Sequence, residues 1–143
     1  MSSLAPQIID RLRAEVTSLN QVLGAASLAK VLDDGGRVSR PPVAYVMSLS
    51  EVAQPPQTTG PQALCTETIA VVLMDTSAND PRGDKADADL APLLDAVVGA
   101  LMGWQPTGAI DGLVYLDTQT IAARGSAVIR QIRFTGDYWR QPT

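Results

Sequence analysis

Few residues of this chain could carry out chemistry, and none stands in a catalytic pattern. Histidine is absent, so a serine such as Ser126 has no imidazole base to activate it. Cys65 is the only cysteine, which excludes a disulfide framework and a cysteine/histidine zinc site within one chain. The phosphate-cradling glycine patterns are missing, and Lys30 and Lys85 are the only lysines. We predict no enzyme activity and no cofactor.

Three aspartates are the acidic group best placed to hold a metal ion. Asp84, Asp87 and Asp89 precede a stretch of apolar residues, but their spacing lacks the glycine and the distal glutamate of a calcium loop. Carboxylates near the start of a helix are stabilised by its positive end. We therefore interpret these aspartates as helix N-terminal charges and predict no metal site.

The elements that must position any site are organised around a central helix within residues 80–106. Its apolar residues recur at helical spacing and predict one buried side. Gly103 ends the helix, and Pro92 predicts either a start capped by Asp89 or a kink after a ragged first turn. The predicted core of this helix consists of Leu90, Leu94, Val97, Leu101 and Trp104.

The remaining pattern predicts an α+β fold. An amphipathic helix is predicted over residues 5–19, with a short second helix from Ser27 to Leu32. Four strands follow by alternation and turn signals: Val43–Leu49, Ala63–Thr76, Leu113–Ala122 and Ala127–Asp137. Together they predict a four-stranded, mainly antiparallel sheet, flanked by two principal helices and one further short helix.

Composition sets the broad class of the protein. The chain has 143 residues, of which 45% are hydrophobic, and a net charge of -4. These values predict one folded domain over residues 1–143 with no general attraction for nucleic acid. The N-terminus does not resemble a secretory signal, and nothing approaches the roughly 18 apolar residues of a membrane span. We expect a soluble chain made in the cytoplasm.

A proline-rich loop over residues 50–62 separates the first two predicted strands. It contains three prolines and a glycine without periodicity, and loops of this length are often functional or mobile. Two alternatives stay open: a disordered hairpin tip, or an arm that binds a partner.

Several predicted strands carry apolar residues on both faces. Val114 and Leu116, for example, alternate with Leu113 and Tyr115, where one face of an antiparallel sheet would normally meet water. Two helices do not readily cover two faces, which favours a second subunit as cover. The alternative is scattered exposed aliphatics, which are normal on monomers.

Polar and aromatic residues near the C-terminus are candidate contacts. The spacing of Arg130 and Arg133 places them on opposite faces of the last strand, so one is either a core-edge arginine or a partner contact. Tyr138 and Trp139 belong to residue types that dominate interface energetics, and packing at the strand end is equally compatible with them.

One arrangement of residues is similar to a known family. A strand ending in AVVLMDTSAND is followed by PRGDKADADLAPLLDAVVGALMGWQP and a closing apolar hairpin. The sharpest matches are Asn79-Asp80 with Arg82-Gly83, Asp89-Leu90, and Leu101 to Trp104 followed by Pro106. In these parts and in the order of its elements, the chain resembles the tail terminator proteins of long-tailed bacteriophages.

The resemblance implies a non-enzymatic virion protein at the head-proximal end of the tail. It would form a homo-oligomeric ring, usually a hexamer, that caps the tail tube protein, ends polymerisation and offers a docking surface to a head-completion or connector protein. DNA would pass through the ring without specific binding, and no membrane is involved. Alternatives are a small peptide- or ligand-binding module, or another head-to-tail connector component. The candidate interface residues are Arg37, Arg40, Gln54, Thr58, Arg82, Arg130, Arg133, Tyr138 and Trp139.

Overall fold

The computed structural model describes residues 3–33, 41–55, 60–76, 84–124 and 127–142, which form three helices and five strands. The side chains of residues 32, 76, 84–89, 122–124 and 127 are outside this description. In chain order the elements are α1 (Ala5–Glu15), β1 (Gln21–Gly24), α2 (Ala25–Asp33), β2 (Val43–Ala53), β3 (Ala63–Thr76), α3 (Asp84–Leu101), β4 (Val114–Arg124) and β5 (Ala127–Arg140).

The strands form one mixed sheet in the order β1-β2-β3-β5-β4. The β1 strand pairs in parallel with β2, and the other neighbours are antiparallel. The α+β class and the mainly antiparallel pairing agree with the sequence-based prediction, but the sheet has five strands instead of four. The strand missed is β1, because four residues between two helices are too few for alternation to be recognised.

The two longer helices pack on one face of the sheet. Their apolar sides meet the strands in a cluster that includes Ile69, Val71 and Phe134. Burying a large aliphatic side chain contributes roughly 1.5–3 kcal/mol, so this cluster is the main source of stability. The fully buried contributions of the helices are Leu4 at the start of α1, Ile8 and Leu12 from α1, and Leu90, Val97 and Leu101 from α3, while Leu94 and Trp104 are half-buried against the cluster.

The short helix α2 covers part of the opposite face. Leu28 packs there with Val43, Tyr45, Val72 and Met74, which belong to β2 and β3. The apolar residues on both faces of these strands are therefore covered by the chain itself at this end of the sheet. The apolar Val114, Leu116 and Ile121 of β4, in contrast, are exposed.

The central helix α3 begins at Asp84 and includes Pro92, so the predicted start at Asp89 is wrong. Alanine and acidic residues precede the proline, and both suit the first turns of a helix. The proline ring is exposed, so the backbone donor that it lacks is lost on the solvent side.

The strands differ from prediction at their ends and in their regularity. The β2 strand continues to Ala53 and β5 to Arg140, so residues 50–53 of the predicted loop are strand. Single residues are left out of the pairing at three positions, and these β-bulges fall at Leu49 in β2 and at Leu116 and Ile121 in β4.

Candidate interaction surfaces

The predicted interface residues do not form one patch. Gln54, Arg130, Arg133, Tyr138 and Trp139 are described, and they lie on both faces of the sheet. Arg37, Arg40, Thr58 and Arg82 lie outside the described residues.

The last strand divides its side chains between the two faces. Val128, Ile132, Phe134 and Tyr138 point towards α1 and α3, and strand alternation places Arg130 on that same side. Tyr138 is fully buried. Packing at the strand end, the alternative left open by the sequence, therefore describes its position, and its ring is not available to a partner.

A charged cluster joins β2 to β5 across the end of β3. The Arg140 guanidinium donates from Nε and Nη2 to the two carboxylate oxygens of Glu51, at 2.9 and 2.7 Å, and the Tyr138 hydroxyl also donates to Glu51. Hydrogen bonds from Arg140 and Tyr138 lower the pKa of the Glu51 carboxyl. Burial, and then the hydrogen bond to Glu51, raise the pKa of Tyr138. In this cluster the ionised carboxylate of Glu51 accepts a hydrogen bond from the neutral phenol of Tyr138.

A second carboxylate fixes the start of α1. Glu67 on β3 is buried, and it accepts hydrogen bonds from the Ser3 hydroxyl at 2.5 Å and from the Leu4 backbone N–H at 2.7 Å. The first N–H groups of a helix have no partner within the helix, and its positive end favours a carboxylate. Glu67 therefore holds the first turn of α1 against the sheet.

The face of the sheet opposite α1 and α3 is polar over β3, β5 and β4. Gln54 donates to the Thr66 hydroxyl at 3.1 Å, and this hydroxyl donates to Asp137 at 2.7 Å. Arg133 donates to both carboxylate oxygens of Asp117, at 2.9 and 2.5 Å. These hydrogen bonds lower the pKa of Asp117 and raise that of Arg133. An acidic partner would have to compete with Asp117 for Arg133.

Exposed large apolar residues on the strands agree with one alternative left open by the sequence, but the bulges that carry some of them were not predicted. Bulge positions are not visible in an alternating pattern, so the sequence does not single out Leu49, Leu116 and Ile121. Trp139, a predicted contact, is 39% exposed. It lies on the polar face, beside its register partner Leu64 of β3. Among the residues that the structure describes, the exposed large apolar residues are Leu49, Val52, Met102, Ile110, Val114, Leu116, Ile121 and Trp139.

The described residues give little support to other kinds of site. They contain no group of three or more histidine, cysteine, aspartate or glutamate residues that could hold a metal ion. No helix among them is long and apolar enough to cross a membrane. Two grooves among these residues are open: one of about 470 Å³ lies beside Arg13 and β1, and one of about 450 Å³ lies between Pro42 and Pro92.

Comparisons with known proteins agree with the resemblance seen in the sequence. No curated protein matches the chain. A chain from the solved structure "Virion of native gene transfer agent (GTA) particle" has a similar fold, with a TM-score of 0.59, 16% identity, and coverage of 97% of this chain and 100% of that chain. The family model described as phage tail terminator protein matches residues 3–142. The chain therefore belongs to the phage tail terminator protein family, and it is a structural tail protein.

Proposed function

We propose that this chain forms a ring, a hexamer by family resemblance, that caps the head-proximal end of the phage tail tube. One side of the ring binds the last ring of tube subunits, and the other side cannot accept a further tube subunit. Polymerisation therefore ends, and the outer side becomes the docking surface for a head-completion or connector protein. The observation that carries this proposal is the family match over residues 3–142.

Capping is a binding function and needs no catalytic step. Affinity would come from shape, apolar contacts and hydrogen bonds, so the protein needs a rigid platform. The extended sheet, supported by α1 and α3, supplies such a platform. Its polar face, with the Gln54–Thr66–Asp137 hydrogen bonds and the Arg133–Asp117 pair, offers satisfied polar groups rather than a reaction centre.

The proline-rich loop between β2 and β3 is the proposed arm that reaches a neighbouring subunit. The two ends of this loop are held together, because the Gln54 backbone N–H donates to the Leu64 carbonyl at 2.7 Å. The arm therefore starts where two paired strands end. Arg37, Arg40, Thr58 and Arg82 remain candidate contacts with acidic partner surfaces.

The net charge of -4 suits a ring around a DNA channel. A strongly basic lumen would hold the duplex through many phosphate contacts, whereas an acidic subunit gives it little to bind. DNA passing through such a ring would slide without specific binding.

The proposal is tested with purified chain and purified tube subunits of the same phage. When the chain is added during tube polymerisation, we expect elongation to stop and electron micrographs to show extra density at one end of each tube. An unrelated acidic protein at equal concentration is the control. Tubes that keep growing without end density would contradict the proposal. Binding to isolated heads but not to tubes would instead favour the connector alternative.

A further inference from the structure

The sheet leaves strand edges unpaired on two opposite sides. On one side, β1 pairs only with Val43–Val46, so the outer side of Met47–Ala53 has no neighbouring strand within the described residues. We name this stretch the β2 edge. On the other side, β4 is the last strand of the sheet, and Val114–Arg124 is the β4 edge. Each edge offers backbone N–H and C=O groups to an incoming chain.

All three bulges of the sheet fall on these two edges, and each bulged residue is a large, exposed aliphatic. Leu49 on the β2 edge is 44% exposed, and Leu116 and Ile121 on the β4 edge are 43% and 52% exposed. A bulge re-aims a side chain, so these positions turn apolar groups outward. Val52 and Val114 add to them, so that five of the eight large apolar residues that are exposed in the described part of the chain lie on the two edges.

The β2 edge and the β4 edge differ from β1 in what their outer sides present. On the outer side of β1, Arg13 of α1 donates from Nε and Nη2 to one carbonyl, that of Val22, at 3.2 and 2.8 Å. Natural sheets limit pairing at exposed edges with charged residues, proline, β-bulges or a covering segment. The β2 edge and the β4 edge contain no proline or lysine, and their bulged residues are exposed aliphatics that a neighbouring chain would bury.

The charges on the two edges indicate a second copy of this chain as the cover. Each copy has a net charge of -4, so two copies repel unless they meet through surfaces without net negative charge. Glu51 on the β2 edge is paired with Arg140 at 2.7 Å, and Asp117 on the β4 edge is paired with Arg133. The described acidic side chains of both edges are thus neutralised within their own copy.

We propose that the β2 edge of one copy docks on the β4 edge of the next. Leu49 and Val52 would then pack against Val114, Leu116 and Ile121 of the neighbouring copy. The two surfaces are unlike and lie on opposite sides of the sheet, which is the head-to-tail arrangement that closes into a ring. This inference rests on the ring of the proposed function and names the surfaces that build it.

Two double variants test the edges separately. Leu49→Lys/Val52→Lys blocks the β2 edge, and Leu116→Lys/Ile121→Lys blocks the β4 edge. The charge-matched control, Ala91→Lys/Met102→Lys, adds two lysines at exposed positions on and just after α3, away from both edges. Analytical ultracentrifugation measures the mass of each full-length chain, alone and on purified tail tubes, and circular dichroism verifies that each variant is folded.

We expect the wild type and the control to form the closed oligomer, and each edge variant to sediment as a single chain. A one-to-one mixture of the two edge variants keeps one intact β2 edge and one intact β4 edge. These can meet only once, so the mixture should stop at a dimer, a twofold increase in mass. No symmetric interface predicts that pattern.

The outcomes separate this inference from the proposed function. Folded edge variants that still form the wild-type oligomer, or a mixture that stays monomeric, would overturn the edge contact while the capping ring stands. If the wild type forms an oligomer that the edge variants do not form, but the wild type does not stop tube growth, the edge contact would be supported and capping would be contradicted. Wild-type chain that remains monomeric both alone and on tubes would overturn the ring and the edge contact together.

Discussion

At the scale of single residues, Glu67 is the buried carboxylate whose removal should destabilise the fold. It is buried and accepts hydrogen bonds from Ser3 and from the first turn of α1. Replacing it with alanine leaves the Leu4 N–H unsatisfied, so we expect Glu67→Ala to lower the free energy of unfolding by about 1–3 kcal/mol in urea titrations. Glu15→Gln is the control, because its exposed pair with Arg11 contributes little. Equal losses for both variants would contradict this role.

Glu51 should make stability depend on pH in the acidic range. Its pKa is lowered in the folded chain by Arg140 and Tyr138, so its contribution is complete above the unfolded pKa of about 4.3. That contribution is lost as the pH falls through the lower folded pKa, because protonation weakens the hydrogen-bonded pair. We expect the stability difference between wild type and Glu51→Gln to be largest at neutral pH and to shrink towards pH 3. Parallel stability curves for the two proteins would contradict this assignment.

The sequence was least informative about which side chains contact each other between strands. The opposite placement of Arg130 and Arg133 follows from strand alternation and was predictable. The partner of Arg133 was not, because the bulge at Ile121 shifts which residue of β4 faces it. The burial of Tyr138 likewise depends on Glu51, which is 87 residues away along the chain.

At the scale of elements, replacing glycine with alanine should have opposite effects on stability at two positions. An added Cβ at Gly112 would lie 2.3 Å from the carbonyl oxygen of Gly103, a backbone atom that cannot easily move. The same atom at Gly99 in α3 would meet nothing within 4 Å. We expect Gly112→Ala to cost about 1–3 kcal/mol by overpacking, and Gly99→Ala to gain up to about 1 kcal/mol of helix propensity. Thermal unfolding measures both, and shifts of the same sign would contradict the model of a tight turn after α3.

Long periodic elements were predictable, and short or irregular ones were not. The β3 strand runs from Ala63 to Thr76 as predicted, because its alternation and apolar content are strong. The β1 strand is too short for its pattern to show, and it exists because β2 offers it a parallel partner. The extension of β2 to Ala53 depends on pairing with β3, which overrides a weak local preference.

At the scale of the whole molecule, deleting the proline-rich loop should impair assembly without preventing folding. Deleting residues 54–61 removes the Gln54–Thr66 hydrogen bond but leaves the paired part of β2 and β3 and the core beneath them. We expect a folded chain with nearly unchanged circular dichroism and impaired capping of tail tubes in the polymerisation assay. Normal capping after this deletion would remove the arm from the mechanism without affecting the edge contact.

The open edges also affect how copies of the chain associate in the absence of tail tubes. A head-to-tail contact closes only if each step turns by a fixed fraction of a circle, and sheet twist and the bulges help to set that angle. Substitutions that change the angle without weakening the contact would produce open helical filaments in place of finite particles. An overproduced variant of this kind would precipitate as fibres, and adding Leu116→Lys should prevent the precipitation.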